Sequence, residues 1–94
     1  MLASTYDTYD YITTHNGSSM LGYKGGAEFL NDGKDGSPVL PQQYDPFKEY
    51  DIHPKLPGID RGAERIIIGT DSPQPVWYTP DHYRTFVPFD PRMR

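Results

Sequence analysis

The chain has 94 residues, no cysteine and a formal net charge of −4. Its length allows one domain at most, and the missing cysteines exclude disulfides, thiolate zinc sites and iron–sulfur clusters. An isoelectric point of about 5.1, without a basic stripe, argues against a nucleic-acid partner.

Aliphatic side chains are scarce for a chain that has to bury a core of its own. Hydrophobic residues make up 35% of the sequence, below the usual ~45–50%. Ordering the 94 residues opposes folding by roughly 140 kcal/mol, at about 1.5 kcal/mol each. Aromatic residues are nevertheless abundant at 14%, whereas disordered chains are poor in them. The composition favours a chain that completes its core against a neighbouring protein.

The N-terminal part of the chain carries the clearest local signal. The repeated Thr-Tyr-Asp triplets of residues 5–11 indicate a short extended arm. Asn16-Gly17 is the preferred pair for a two-residue type I′ turn, and it predicts a β-hairpin over about residues 9–23. A two-stranded hairpin is marginal alone in water, so this one needs a surface to cover.

Residues 31–43 form a polar segment rich in glycine and proline. Its spacing resembles a calcium-binding loop only in part, because Gly33 stands where a ligand is needed and Gln42 replaces the closing glutamate. We therefore predict a loop without a metal.

Two helix-start patterns and one β-branched run predict the remaining regular elements. An Asp-Pro pair predicts a one-turn helix near residues 45–50, and a Thr-Pro-Asp sequence predicts another near 79–84. Three consecutive isoleucines predict a short strand near residues 64–69, covered on both faces.

The second half of the chain, residues 44–94, is punctuated by prolines and aromatic residues. Proline fixes φ and lacks a backbone donor, so this stretch predicts an extended ribbon rather than a long helix or a central strand. Aromatic side chains bury much area at little entropic cost. We expect the ribbon to dock on another protein through ten residues: Tyr44, Phe47, Ile66, Ile67, Ile68, Trp77, Tyr78, Tyr83, Phe86 and Phe89.

No pattern of residues indicates catalysis. His15, His53 and His82 are far apart in the sequence, and no nucleophile or phosphate-loop motif occurs. Most carboxylates, Asp81 among them, stand at caps and turns, where they satisfy backbone N–H groups. We predict no catalytic, cofactor-binding or metal site. A catalytic alternative requires the fold to bring His53, His82 and an acid within hydrogen-bonding reach.

Together these patterns predict a mostly irregular, extended chain with little regular secondary structure. It is predicted to be one non-modular chain, with a hairpin-bearing part (1–30), a polar loop (31–43) and a docking ribbon (44–94). The predicted function is that of a non-enzymatic structural component, which docks on other subunits of a large assembly and stabilises it.

Three kinds of assembly protein share this physical character: proteins that line the inside of microtubules, minor cement or decoration proteins of virions, and peripheral subunits of respiratory complexes. The alternative is a free-standing small β-rich protein-binding domain. We expect other protein subunits as partners, with no nucleic acid, no membrane insertion, no small-molecule substrate and no cofactor. Because the N-terminus does not resemble a signal peptide, we expect an intracellular (cytoskeletal) or virion location.

Overall fold

The fold is an antiparallel sheet with one helix packed against it. A computed structural model describes residues 3–19, 22–33, 36, 38–53, 62–70 and 75–88. These residues form the helix α1 (Ala3–Thr14) and the strands β1 (Gly25–Phe29), β2 (Phe47–Asp51), β3 (Arg65–Ile68), β4 (Val76–Thr79) and β5 (Val87–Pro88). The strands make one sheet in the order β1-β2-β3-β4-β5. The expectation of a mostly irregular, extended chain is therefore wrong.

Helix α1 occupies the segment that the triplet repeat assigned to an extended arm. Thr5, Thr8 and Ile12 lie three and four residues apart, as neighbours on one face of a helix do, and all three are buried. Two of these three positions are threonine, so the buried face carries little of the apolar periodicity by which an amphipathic helix is recognised. The extended arm and the hairpin predicted for residues 9–23 are both corrected by this helix.

Asn16 and Gly17 end helix α1 instead of turning a hairpin. Their φ angles are 55° and 85°, and the Gly17 N–H donates to the Ile12 carbonyl over 2.8 Å. Helices commonly end in this way, with a residue in the left-handed conformation and a backbone N–H that donates to a carbonyl five residues earlier. The prediction of a turn was wrong in kind because a type I′ turn and this helix end need the same left-handed backbone.

One face of the sheet packs against α1 and forms the helix-side cluster. Its buried members come from α1, β2, β3 and β4 and from the residue that follows β2: Ile12, Tyr50, Ile52, Ile66, Ile68 and Val76. Tyr50, Ile66 and Tyr78 lie directly opposite one another across three strands, so they share this face.

The other face carries the cleft-side cluster, which consists of Leu40, Phe47, Ile67 and Trp77. Ile67 lies directly opposite Trp77, and their side chains are 0% and 8% exposed. The expectation that the chain lacks a core of its own is thus wrong. It counted aliphatic residues, whereas Phe47, Tyr50 and Trp77 supply large buried areas. The radius of gyration, 12.6 Å, agrees with the roughly 12 Å of a compact chain of this length.

The two predicted one-turn helices are absent from the described residues. Phe47–Asp51 is the strand β2, which pairs with β1 on one side and β3 on the other. A 3-10 turn at Gln42–Tyr44 precedes it, and Asp45 donates its N–H to the Gln42 carbonyl to close that turn. Thr79 ends β4, and a series of bends follows. Near residues 45–50, the pairing of β2 with two neighbouring strands therefore outweighed the helix-start pattern of the Asp-Pro pair.

The strand predicted near residues 64–69 is confirmed as β3, whose four side chains are all buried. The extended ribbon predicted for residues 44–94 is instead folded back on itself as β2 to β5 wherever the structure describes it. Phe89 lies outside the described residues. In the described part of the chain, no helix has both the length and the apolar character needed to span a membrane.

Candidate active site

A cleft of about 300 Å³ opens at one end of the sheet, on the face opposite α1. It is lined by Lys24, Gly25, Ala27, Glu49, Asp51, Arg65, His82 and Tyr83. These residues come from β1 and the residue before it, the middle and end of β2, the start of β3 and the loop after β4. The cleft therefore gathers groups that are far apart in the sequence.

Strand register places the two carboxylates of β2 on this face. Glu49 lies directly opposite Ala27 on β1 and Ile67 on β3, and Asp51 lies directly opposite Arg65. Because side chains alternate between faces along a strand, Glu49 and Asp51 point the same way and Tyr50 points toward α1. The polar end of this face continues the cleft-side cluster.

Arg65 is held rigidly from several directions. Its Nε lies 2.9 Å from Asp51 Oδ1, and the two side chains are 4% and 5% exposed. One terminal nitrogen, Nη1, donates to the carbonyls of Gly62 and Glu64 over 2.9 and 2.7 Å. These bonds hold the planar guanidinium in one orientation at the wall of the cleft. A fixed guanidinium is suited to binding phosphate oxygens.

The loop after β4 brings His82 to the cleft. Asp81 Oδ1 accepts hydrogen bonds from the backbone N–H groups of Arg84 and Thr85, at 3.2 and 2.8 Å. The buried Thr79 Oγ1 accepts the Tyr83 N–H at 2.9 Å. Hydrogen bonds to Asp81, foremost from the Thr85 hydroxyl, lower the pKa of this carboxyl. The cap role predicted for Asp81 is present here without a helix.

His82 and Tyr83 have left-handed backbones, with φ angles of 56° and 74°. Two consecutive residues of this kind, neither of them glycine, are uncommon and are found where a site holds side chains in place. The His82 N–H donates to the Ala63 carbonyl over 3.0 Å, which ties the loop to the segment before β3. The imidazole itself is solvent-accessible at the cleft.

Tyr83 links the histidine loop to the carboxylate of β2. Its hydroxyl hydrogen-bonds to Glu49, and its ring centroid lies 4.7 Å from that of His82. Burial, followed by the negative charge of Glu49, raises the pKa of Tyr83. The phenol therefore stays protonated and donates to the carboxylate, which holds Glu49 beside the histidine loop.

The chemistry of this cleft follows from the types of group it contains. A carboxylate can accept a proton, an accessible imidazole can donate or accept one, and a fixed guanidinium can stabilise a negatively charged group between them. Within the described residues, no group of three or more metal-binding side chains is placed to hold a metal ion.

The residues predicted to dock on a partner lie mostly inside the chain. Phe47, Ile66, Ile67, Ile68 and Trp77 are buried, and Tyr44, Tyr78, Tyr83 and Phe86 are partly buried. Of these, Tyr83 lines the cleft.

Lys24, Glu49, Asp51 and Arg65 were not predicted as site residues. The catalytic alternative required His53, His82 and an acid within hydrogen-bonding reach. The fold instead pairs His53 with Glu64 and brings His82 to the cleft that contains Glu49. One signal in the sequence could have found the site. Once β2 is recognised as a strand, the two-residue spacing places Glu49 and Asp51 on one face, with Asp51 directly opposite Arg65.

Comparison with known proteins overturns the functional expectations. A family model described as ribonuclease matches residues 2–90, whereas no curated protein and no solved structure matches the chain. The predictions of a non-enzymatic structural subunit, of a microtubule or virion role, and of partners without nucleic acid are therefore wrong. The near-complete match and the cleft on the sheet lead to one assignment: the chain belongs to the ribonuclease family.

Proposed function

We propose that this protein cleaves RNA in the cleft formed by Glu49, Arg65 and His82, by general acid–base catalysis. The observation that carries the proposal is the presence of a carboxylate, a fixed guanidinium and an accessible imidazole around one cleft. Membership of the ribonuclease family supports RNA as the substrate.

Glu49 is the proposed general base of the first step. An RNA strand carries a 2′-hydroxyl next to each phosphodiester, and this hydroxyl is the feature that separates RNA from DNA. When Glu49 removes its proton, the 2′-oxygen attacks phosphorus, and the bond from phosphorus to the 5′-oxygen breaks. The product is a 2′,3′-cyclic phosphate. The hydrogen bond from Tyr83 orients the Glu49 carboxylate for this role.

His82 is the proposed general acid of the same step. Its protonated imidazole donates a proton to the departing 5′-oxygen, so that no free alkoxide is released. In the second step the roles reverse. His82 removes a proton from water, the resulting hydroxide opens the cyclic phosphate, and Glu49 returns a proton to the 2′-oxygen.

Arg65 and Lys24 supply positive charge where the phosphate binds. Negative charge accumulates on the non-bridging oxygens during attack, and Arg65 is already oriented by Asp51 and two carbonyls. A preorganised cation needs no rearrangement when that charge develops. Lys24, the residue before β1, also lines the cleft.

Partly buried aromatic side chains pack together beside the cleft, and we propose that they stack on a nucleobase. The Phe29 ring centroid lies 4.9 Å from that of Tyr83 and 5.9 Å from that of Phe86. Sequence-specific and non-specific readers of single-stranded RNA stack bases on rings of this kind. These rings support a single-stranded substrate.

The net charge of −4 is compatible with this function. Net charge governs non-specific attraction to a polyanion, whereas binding at a cleft depends on the local groups. In the cleft, the positive charges of Lys24 and Arg65 offset the negative charges of Glu49 and Asp51, so the local groups carry no net negative charge.

The test uses a short single-stranded RNA and the same strand with a 2′-deoxy sugar at the cleaved position. We expect the wild-type protein to cut the RNA, to release a 2′,3′-cyclic phosphate, and to leave the deoxy-substituted bond intact. Glu49→Gln and His82→Gln should each lower kcat by roughly 10²- to 10⁴-fold.

Matched controls are available on the same elements. Glu28→Gln changes a neighbouring carboxylate, which the register opposite Lys48 places on the other face of the sheet. His15→Gln changes an exposed histidine after α1. Both controls should cleave at the wild-type rate. Cleavage of the deoxy-substituted bond, or full activity of Glu49→Gln and His82→Gln, would show that the mechanism is wrong.

A further inference from the structure

Three consecutive backbone carbonyls before β3 position two residues of the cleft. The carbonyls of Gly62 and Glu64 accept hydrogen bonds from Arg65 Nη1, and the carbonyl of Ala63 between them accepts the His82 N–H at 3.0 Å. We call residues 62–64 the carbonyl turn. A displacement of this turn would move the guanidinium and the imidazole together.

The side chain of Glu64 anchors the carbonyl turn from the other side of the sheet. His53 Nε2 lies 2.6 Å from Glu64 Oε1, and the Tyr78 hydroxyl donates to Glu64 Oε2. The His53 ring also packs against the turn, since a Cβ added to Gly62 would lie 3.7 Å from its Cδ2. Both oxygens of the carboxylate are therefore occupied, one by a donor from β4 and the other by His53, two residues after β2.

Electrostatics agree with this geometry. The pKa of Glu64 is lowered, first by the hydrogen bond from Tyr78 and then by the one from His53. Burial, followed by the contact with Glu64, raises the pKa of Tyr78 to about 12. Near neutral pH the carboxylate is thus charged and the phenol protonated, which is the state that both hydrogen bonds require.

We infer that His53, Glu64 and Tyr78 form a positioning network, which holds the carbonyl turn and through it orients Arg65 and His82 in the cleft. The inference rests on the proposed RNA cleavage for its effect on rate. None of the three side chains lines the cleft, so they act through Arg65 and His82.

A small displacement of catalytic groups is enough to slow a reaction strongly, because the reacting atoms must be aligned. Loss of an anchoring hydrogen bond should therefore reduce kcat more than it changes KM. A residue that served stability alone would lower the midpoint of unfolding and leave kcat of the folded protein unchanged.

The first experiment compares Tyr78→Phe with Tyr50→Phe. Both tyrosines pack in or against the helix-side cluster and donate one hydroxyl hydrogen bond, but Tyr50 donates to the Gly17 carbonyl at the end of α1. Tyr78→Phe should lower kcat for the single-stranded RNA by about tenfold, with KM within about twofold. Tyr50→Phe should leave kcat within about twofold of the wild type.

The second experiment does not require activity. Amide hydrogen exchange, measured by NMR, reports on the bond from the His82 N–H to the Ala63 carbonyl. Tyr78→Phe should speed exchange at His82 by about tenfold, whereas Tyr50→Phe should not. His53→Ala should resemble Tyr78→Phe, and His53→Gln, which keeps a side-chain N–H donor, should restore part of the protection.

The outcomes separate the two proposals. If the wild-type protein does not cleave RNA but His82 exchange responds as described, the positioning network stands and the proposed function fails. If Tyr78→Phe leaves His82 exchange and kcat unchanged, the network assignment is wrong. Equal effects of Tyr50→Phe and Tyr78→Phe on His82 exchange would also overturn it, because they would reflect a general loss of stability.

Discussion

The three histidines show how neighbours decide the role of a residue. The His15 ring stacks on Tyr11 at 3.7 Å near the end of α1, and His53 binds Glu64. His82 is carried to the cleft by a loop with a left-handed backbone. The same side chain therefore closes a helix end, anchors a turn or faces the proposed substrate, according to what the fold puts beside it.

The buried pair of Asp51 and Arg65 yields a prediction at the scale of single residues. Asp51→Asn would leave the guanidinium buried without its compensating charge, and such a change destabilises by about 3–5 kcal/mol. Urea unfolding followed by tryptophan fluorescence would measure the loss. Asp7→Asn, an exposed aspartate on α1, should change the free energy of unfolding by less than about 0.5 kcal/mol. Equal stability of the two variants would contradict the role given to this pair.

At the scale of elements, the register of β2 determines the site. Glu49 and Asp51 share the cleft face because they are two residues apart on a strand, and Tyr50 between them joins the helix-side cluster. A helix at the same position, as the cap signal predicted, would point Glu49 and Asp51 in different directions. Because β2 pairs with β1 on one side and β3 on the other, this segment forms a strand and not a helix.

The end of α1 provides a prediction at the same scale. Gly17 has a φ of 85°, so Gly17→Ala should cost about 1–2 kcal/mol through backbone strain, although the added Cβ would meet the Tyr50 hydroxyl at an acceptable 3.5 Å. Asn16→Gly, at a φ of 55°, is the matched change that relieves strain and should be close to neutral. Thermal unfolding followed by circular dichroism would compare them. A neutral Gly17→Ala would argue against the left-handed helix end.

At the scale of the whole molecule, the sheet has one face covered by α1 and another that ends in an open cleft. The helix-side cluster and the cleft-side cluster share the strands β2, β3 and β4 between them. Contacts made on the covered face, such as that of Tyr78 with Glu64, therefore reach the cleft through the backbone of the sheet and its turns.

The hydrogen bond between Tyr78 and Glu64 predicts how the free energy of unfolding depends on pH. The folded pKa of Glu64 lies below its unfolded value, so its contribution is present above about pH 4.5 and is lost as pH falls through the folded pKa. The pKa of Tyr78 is raised to about 12, so its contribution is present below about pH 10 and is lost as pH rises toward 12. Tyr78→Phe should thus be less stable than the wild type by about 1.5 kcal/mol between these limits.

The measurement is the difference in unfolding midpoint between wild type and Tyr78→Phe from pH 3 to pH 11. We expect this difference to be constant near neutral pH and to become smaller at both ends of the pH range. When Glu64→Gln is introduced into both proteins, the difference should no longer become smaller at low pH, because glutamine has no proton to gain. A difference that is constant from pH 3 to pH 7 would contradict the charged Glu64–Tyr78 contact.

Local features of the sequence determined two parts of this protein correctly. The isoleucine strand β3 and the hydrogen-bond acceptor role of Asp81 depend on side chains within a few residues. Each was readable because local sterics and hydrogen bonding act over short distances along the chain.

Only the tertiary structure decided the helix and the site. The threonines of α1 are buried in the folded chain, and nothing in their own segment marks that face as internal. Glu49, Arg65 and His82 belong to three separate segments and meet through strand register and a loop. Contacts of this kind depend on long-range pairing, which is the sum of many weak interactions across the sheet and is not encoded in any one stretch of residues.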